Sequence, residues 1–198
     1  MSKSTHIKNI IFILILVLIV AGAIIGYKVI VNNQNAQKAE AVSDTDTGTT
    51  SIIGALLPVE PSTAADFTVL NEAGESVRLA DYVGYPVILN FWVSWCGPCQ
   101  LEVYDFENMY VKYGNEVQFM MINETDGTTE TKDTAREYIE KHNLTFPVFY
   151  DTEGTAMKAY SIRSFPQTYF IDRDGNVTAR IIGTASESAI EEGIEMIK

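Results

Sequence analysis

The chain has 198 residues, 46% of them hydrophobic, enough for one domain with a core plus some non-globular sequence. Its 14 basic and 26 acidic residues leave a net charge of −12, which excludes a nucleic-acid-binding body, because phosphate contacts need Lys and Arg. The two cysteines, Cys96 and Cys99, close too short a loop to staple a fold. A structural zinc site usually needs four Cys or His ligands; only His6 and His142 remain, and His6 lies ahead of a long hydrophobic segment, so one chain does not complete such a site, which leaves redox chemistry or a chance pair.

Residues 1–9 read as a short cytoplasmic N-terminus carrying Lys3 and Lys8. Ile10 to Tyr27 is uncharged and almost wholly aliphatic, and Val29-Ile30-Val31 follows Lys28. Residues 10–31 therefore come close to the roughly 20 apolar residues of a membrane-spanning helix, and the preceding lysines put the N-terminus inside. The rival is a cleaved signal peptide, since Ala21-Gly22-Ala23 fits a small-x-small cleavage pattern. The chain stays apolar past that point, which favours an uncleaved anchor. Either way the remainder is exported. Residues 32–60 are rich in Asn, Gln, Ala, Ser, Thr and Asp and read as a flexible linker, with Ile52 to Val59 apolar enough to dock on the domain.

The globular part is expected over 61–198. Phe67 to Leu70 and Glu75 to Leu79 read as a hairpin with Gly74 in its turn. Pro86 to Val93 is nearly continuous in apolar residues, as in a strand buried on both faces. After Cys96-Gly97-Pro98-Cys99, the residues Cys99, Val103, Phe106, Met109, Tyr110 and Tyr113 recur at helical spacing up to Gly114. Val117 to Ile122 is a second buried strand, Thr131 to His142 a polar helix, Pro147 to Tyr150 a short extended segment, and Met157 to Tyr160 a turn or two of helix. Thr168 to Ile171 and Val177 to Ile182 form a hairpin about Gly175, and Glu187 to Ile197 is a closing helix. The order predicts an α/β sandwich with a mixed sheet.

Cys96 falls between a buried strand and a helix, at the helix N-terminus. Unpaired N–H groups and the macrodipole there favour a thiolate, so Cys96 is the expected nucleophile. Cys99, one turn further in and more buried, would resolve the mixed disulfide. Pro98 is tolerated in a first helical turn, where its missing N–H is not needed.

Asn90 to Cys99 resembles the active-site segment of the thioredoxin superfamily, and within it the TlpA/ResA-like group of membrane-tethered, extracytoplasmic oxidoreductases. The resemblance runs from about Pro61 to Lys198 and includes Asn143-Leu-Thr-Phe-Pro-Val-Phe149, Ala159-Tyr-Ser-Ile-Arg163 and Phe165-Pro166-Gln-Thr-Tyr-Phe-Ile-Asp172. It implies a thioredoxin fold, a central mixed sheet flanked by helices, with an N-terminal hairpin and a TlpA-type central insertion over about Glu124 to Asp151. It implies a cis bond at Pro166, facing the cysteines, and a backbone at Phe165 that pairs with a client strand. Phe165 is larger than the residue usual there. Trp95, Gly97 and Pro98 would form the client-facing lip, while Trp92 is either core or flanks the site. Cytosolic thioredoxins carry a buried Asp at the position of Asn90, which cannot accept a proton. Glu102, one turn beyond Cys99 on the same side, matches the acidic residue that shuttles protons in the ResA-like group. That group's proline soon after this Glu is replaced by Val103-Tyr104.

The expected activity is dithiol–disulfide exchange without a cofactor, reducing disulfides of exported proteins such as apocytochrome c or methionine sulfoxide reductase. Electrons would come from a CcdA/DsbD-type membrane donor. The Gly-Pro dipeptide matches that of reducing thioredoxins, with potentials near about −270 mV. A disulfide-forming oxidant and a non-catalytic client or Cu(I) binding module stand as alternatives. A peroxiredoxin would need Thr or Ser where Val93 stands.

Overall fold

The computed structural model describes residues 54–198. The expected cytoplasmic segment, the anchor over 10–31 and the linker up to residue 53 lie outside them. Among the described residues no helix is long and apolar enough to cross a membrane.

Eight strands form one mixed sheet: β1 (Leu56–Thr63), β2 (Thr68–Leu70), β3 (Ser76–Arg78), β4 (Val87–Trp92), β5 (Gln118–Asn123), β6 (Val148–Tyr150), β7 (Gln167–Ile171) and β8 (Asn176–Ile182). The helices are α1 (Gly97–Tyr113), α2 (Lys132–Lys141), α3 (Thr155–Ala159) and α4 (Glu187–Ile197), with a 3-10 turn at Leu79–Tyr82. The strand order is β1-β8-β7-β4-β5-β6-β2-β3. β4 runs parallel to β5 and antiparallel to β7, and β5 runs parallel to β6. This is a thioredoxin-like α/β fold.

β4 is the centre of the molecule. Every residue from Val87 to Trp92 is buried, which explains why its sequence is a run rather than an alternation. Side chains still alternate between faces. Ile88 and Trp92 join the core under α1 and α4, together with Phe106, Ile190 and Ile194. Val87, Leu89 and Phe91 join a second core with Phe67, Phe149, Ile162 and Tyr169. α1 buries Cys99, Val103, Phe106, Met109 and Tyr113, the stripe its spacing predicts, and Glu102 with them. Gly114 closes the helix for want of room and not by a left-handed turn. Its φ is −61°, and a Cβ there would lie 2.6 Å from Tyr110 O.

One boundary differs from the sequence reading. Leu56–Thr63 is an edge strand paired antiparallel with β8, so residues 56–60 belong to the sheet rather than to a linker ending at 60. Pro58 and Pro61 hide this strand in the sequence, and the edge position tolerates them. The register with β8 slips between Pro58 and Ser62, so that Pro61, which has no N–H to offer, sits in the irregular stretch. Only its first half carries half-buried residues, so the strand lacks the alternation of a two-sided one.

α4 lies close to β7 because Gly193 has no side chain. A Cβ at that position would sit 2.2 to 2.6 Å from the Phe170 ring. Gly193→Ala would gain up to about 1 kcal/mol of helix propensity, less than the clash costs. We expect a net destabilisation of roughly 1–2 kcal/mol by urea unfolding of the oxidised protein.

Candidate active site

The loop leaving β4 carries Val93 to Cys96 into the first turn of α1. Cys96 is the N-cap, with extended backbone, and its Sγ accepts a hydrogen bond from Cys99 N–H at 3.1 Å. Cys96 and Cys99 form a disulfide with Cα atoms 5.3 Å apart. Sγ of Cys96 thus occupies the place where an N-cap oxygen or a bound anion would meet the free N–H groups of a helix. A thiolate released there by reduction is stabilised by the same dipoles. The two cysteines are 6% and 4% exposed, so the burial difference expected between them is slight. What distinguishes them is position: Cys96 caps the helix, and Cys99 faces the cavity beneath it.

Trp95 is 56% exposed, and Gly97 and Pro98 are exposed beside it. A Cβ on Gly97 would meet nothing within 4 Å, so the position between the two cysteines in the chain opens onto free space. The Phe165–Pro166 peptide bond is cis. It immediately precedes β7, whose first residue, Gln167, pairs with Phe91 near the end of β4. The sheet register thereby sets Pro166 beside the strand end that leads to Cys96. Pro166 is buried and its carbonyl accepts from Gly183 N–H at 3.0 Å. Phe165 is half-buried and packs against both cores, which accounts for its size.

Behind the disulfide lies a buried polar group. Glu102 is 1% exposed. Its Oε1 accepts from Asn90 Nδ2 at 3.0 Å and its Oε2 from Ala185 N–H at 2.6 Å. Asn90 Nδ2 also donates to Thr168 Oγ1 at 3.1 Å. Burial dominates and pushes the Glu102 carboxyl up to about 8, against the opposing pull of the Ala185 N–H and Asn90, while the neighbouring Asp105 charge pushes the same way. Glu102, Asn90 and Cys99 line one small cavity with Trp92, Val103 and Tyr138. Trp92 is 4% exposed and lies in the α1-side core, so it is both core and cavity wall.

Sequence reading missed Glu130. It is 1% exposed and accepts from Ser94 N–H at 3.0 Å, from Ser94 Oγ at 2.7 Å and from Asn123 Nδ2 at 2.7 Å. Ser94 lies two residues before Cys96, so this carboxylate holds the loop that carries the chain into the disulfide. Its sequence setting, Thr128-Thr-Glu-Thr131, gives no hint of burial. Among the described residues no group of three or more His, Cys, Asp or Glu is placed to hold a metal ion.

The chain matches the AhpC/TSA family over residues 62–180. It is 36% identical over 138 residues to the thiol-disulfide oxidoreductase ResA of Geobacillus kaustophilus (strain HTA426), covering 69% of this chain and 77% of that protein. Among solved structures it resembles a putative thiol:disulfide interchange protein DsbE from Chlorobium tepidum, with a TM-score of 0.62 and 27% identity over 71% of this chain and 98% of the other. It also resembles the exposed lipoprotein thioredoxin Etrx1 of Streptococcus pneumoniae strain TIGR4, with a TM-score of 0.56 and 27% identity over 67% and 99%. The chain belongs to the AhpC/TSA family of thioredoxin-like proteins. Its relatives make it a ResA-like thiol–disulfide oxidoreductase, with the Cys96–Cys99 disulfide as its redox group.

Two predictions follow from this geometry. Glu130→Ala leaves the Ser94 N–H, the Ser94 hydroxyl and the Asn123 amide without their shared acceptor. It should cost roughly 3 kcal/mol in urea unfolding and slow disulfide exchange, whereas Glu130→Gln keeps part of both. Glu102 binds its proton more tightly folded than unfolded, so the native state holds the extra proton between the ordinary glutamate value of 4.5 and about 8. Stability of the oxidised protein should therefore fall as pH rises through that window. Glu102→Gln should remove that decline, as followed by denaturant unfolding at a series of pH values.

Proposed function

We propose that this chain is an extracytoplasmic, membrane-tethered reductant of disulfides in exported proteins. The observation that carries the reading is the Cys96–Cys99 pair at a helix N-terminus, backed by a buried Glu102 whose carboxyl titrates near the range of a thiol. Cys96 thiolate attacks one sulfur of a client disulfide, forming a mixed disulfide and expelling the other client sulfur. Glu102 takes the Cys99 proton. Cys99 thiolate then attacks Cys96 Sγ, closes the protein disulfide and releases the client as a dithiol. Trp95, Gly97 and Pro98 form the lip against which the client lies. The backbone of Phe165, held by Pro166, pairs with its extended strand.

Residues 10–31 anchor the protein with its N-terminus in the cytoplasm and the catalytic domain outside. The apolar run supports this, as does the likeness to an exposed lipoprotein thioredoxin. The stretch between β5 and β6, with α2 on it, corresponds to the TlpA-type insertion. Electrons from a CcdA/DsbD-type membrane donor would regenerate the dithiol, and exported thiol proteins such as apocytochrome c or methionine sulfoxide reductase are the clients.

The reduction potential tests the direction of flow. The chain is equilibrated with dithiothreitol or glutathione buffers and read by Trp fluorescence. A midpoint at or below about −250 mV supports a reductant, and one near about −120 mV makes the protein an oxidant instead. The absence of any reversible transition would remove redox catalysis.

A further inference from the structure

We infer that the Asn90 side-chain amide is a two-position switch, reversing with the protonation of Glu102 and turning either its oxygen or its N–H toward Cys99. The inference rests on the role of Glu102 as proton carrier.

Asn90 is fully buried on β4, on the face it shares with Ile88 and Trp92, toward α1. Both of its N–H bonds are used, one to Glu102 Oε1 and one to Thr168 Oγ1. Its Oδ1 is buried with no hydrogen-bond partner among the described residues. The bonded end of the amide is held at Glu102 and Thr168. Oδ1 is the end left for the cavity that Asn90 shares with Cys99.

This arrangement suits ionised Glu102 only. Both carboxylate oxygens accept, Oε1 from Asn90 and Oε2 from Ala185 N–H. A protonated carboxyl carries a donor of its own, and neither the Ala185 N–H nor Asn90 Nδ2 can receive it. Half a turn of the amide about χ2, a torsion with broad two-fold wells, removes the conflict. Oδ1 then accepts from the Glu102 O–H and from the Thr168 hydroxyl, which donates as readily as it accepts. Nδ2 faces the cavity.

In the reduced protein the switch assists a proton transfer. With Glu102 ionised, Oδ1 faces the Cys99 thiol as an acceptor. The S–H bond breaks, an O–H bond forms on Glu102 and the negative charge moves to sulfur. The amide reverses, and its N–H faces the new thiolate. No electrons move until that thiolate attacks Cys96 Sγ. Burial brings Glu102 to about 8, which makes it a much stronger base toward the Cys99 thiol than an exposed carboxylate would be. The titratable groups around Glu102 are Cys99 and Asp105 on its own helix, Glu187 of α4 beside Asp105, and Tyr138 of α2 across the cavity. β4 and β7 contribute only the neutral Asn90 and Thr168. Among the described residues no cation pairs with it.

The test is NMR of the oxidised full chain, with asparagine side chains labelled with 15N and glutamate carboxyls with 13C, titrated from about pH 6 to about pH 10. Above the Glu102 midpoint the Asn90 NH2 protons should show nuclear Overhauser contacts to Thr168 and Glu102. Below it those contacts should pass to the Cys99 Hβ protons, and in Glu102→Gln the pattern should not change with pH. Contacts to Thr168 at both ends, with the Glu102 carboxyl carbon still titrating, would overturn the switch and leave Glu102 as proton carrier. A Glu102 carbon that does not titrate in this range would overturn both.

Discussion

The packing of α1 across β4 and β7 is the contact from which the rest of the site follows. One face of the helix must be buried to hold Phe106 and Met109 in the core, and the same face carries Cys99 and Glu102. A carboxyl cannot be taken out of water without partners. Asn90 from β4 and the Ala185 N–H ahead of α4 supply them. The proton affinity of Glu102 is therefore a consequence of core packing. The chain sets a titratable group behind a disulfide by placing it where a hydrophobic residue would otherwise sit.

The same economy recurs at the loop before Cys96. That loop must leave a buried strand and enter a helix within a few residues, and its backbone donors cannot all reach other backbone groups. Glu130 accepts the Ser94 N–H, and the Gln100 side chain donates to the Ser94 carbonyl at 2.7 Å. The segment between β5 and β6 thus contributes to the active site through a buried carboxylate as well as through α2. Asn123, at the end of β5, ties Glu130 to the central sheet. The loop before Cys96 is held by long-range contacts although its motif is local.

The disulfide has a wet side, where Trp95 is exposed, and a dry side, where Glu102 is buried. The exposed indole and the open space at Gly97 lie on the first side, and the Glu102 carboxyl lies on the second, in a cavity walled by Trp92, Val103 and Tyr138.

Much of this was legible in the sequence because the signals are local. The run from Val87 to Trp92, the helical spacing of Val103, Phe106 and Met109, and the turn glycines Gly74 and Gly175 each report backbone geometry through nearest neighbours. The cysteine spacing reported redox chemistry in the same way. β1 was not legible, because its pairing with β8 is made by backbone groups far apart in the chain and its prolines read as linker. Burial of Glu130 and the orphaned oxygen of Asn90 were hidden for a related reason. Neither residue differs by type or spacing from a solvated one, and only the closing of the tertiary structure around them removes water and gives each its chemistry.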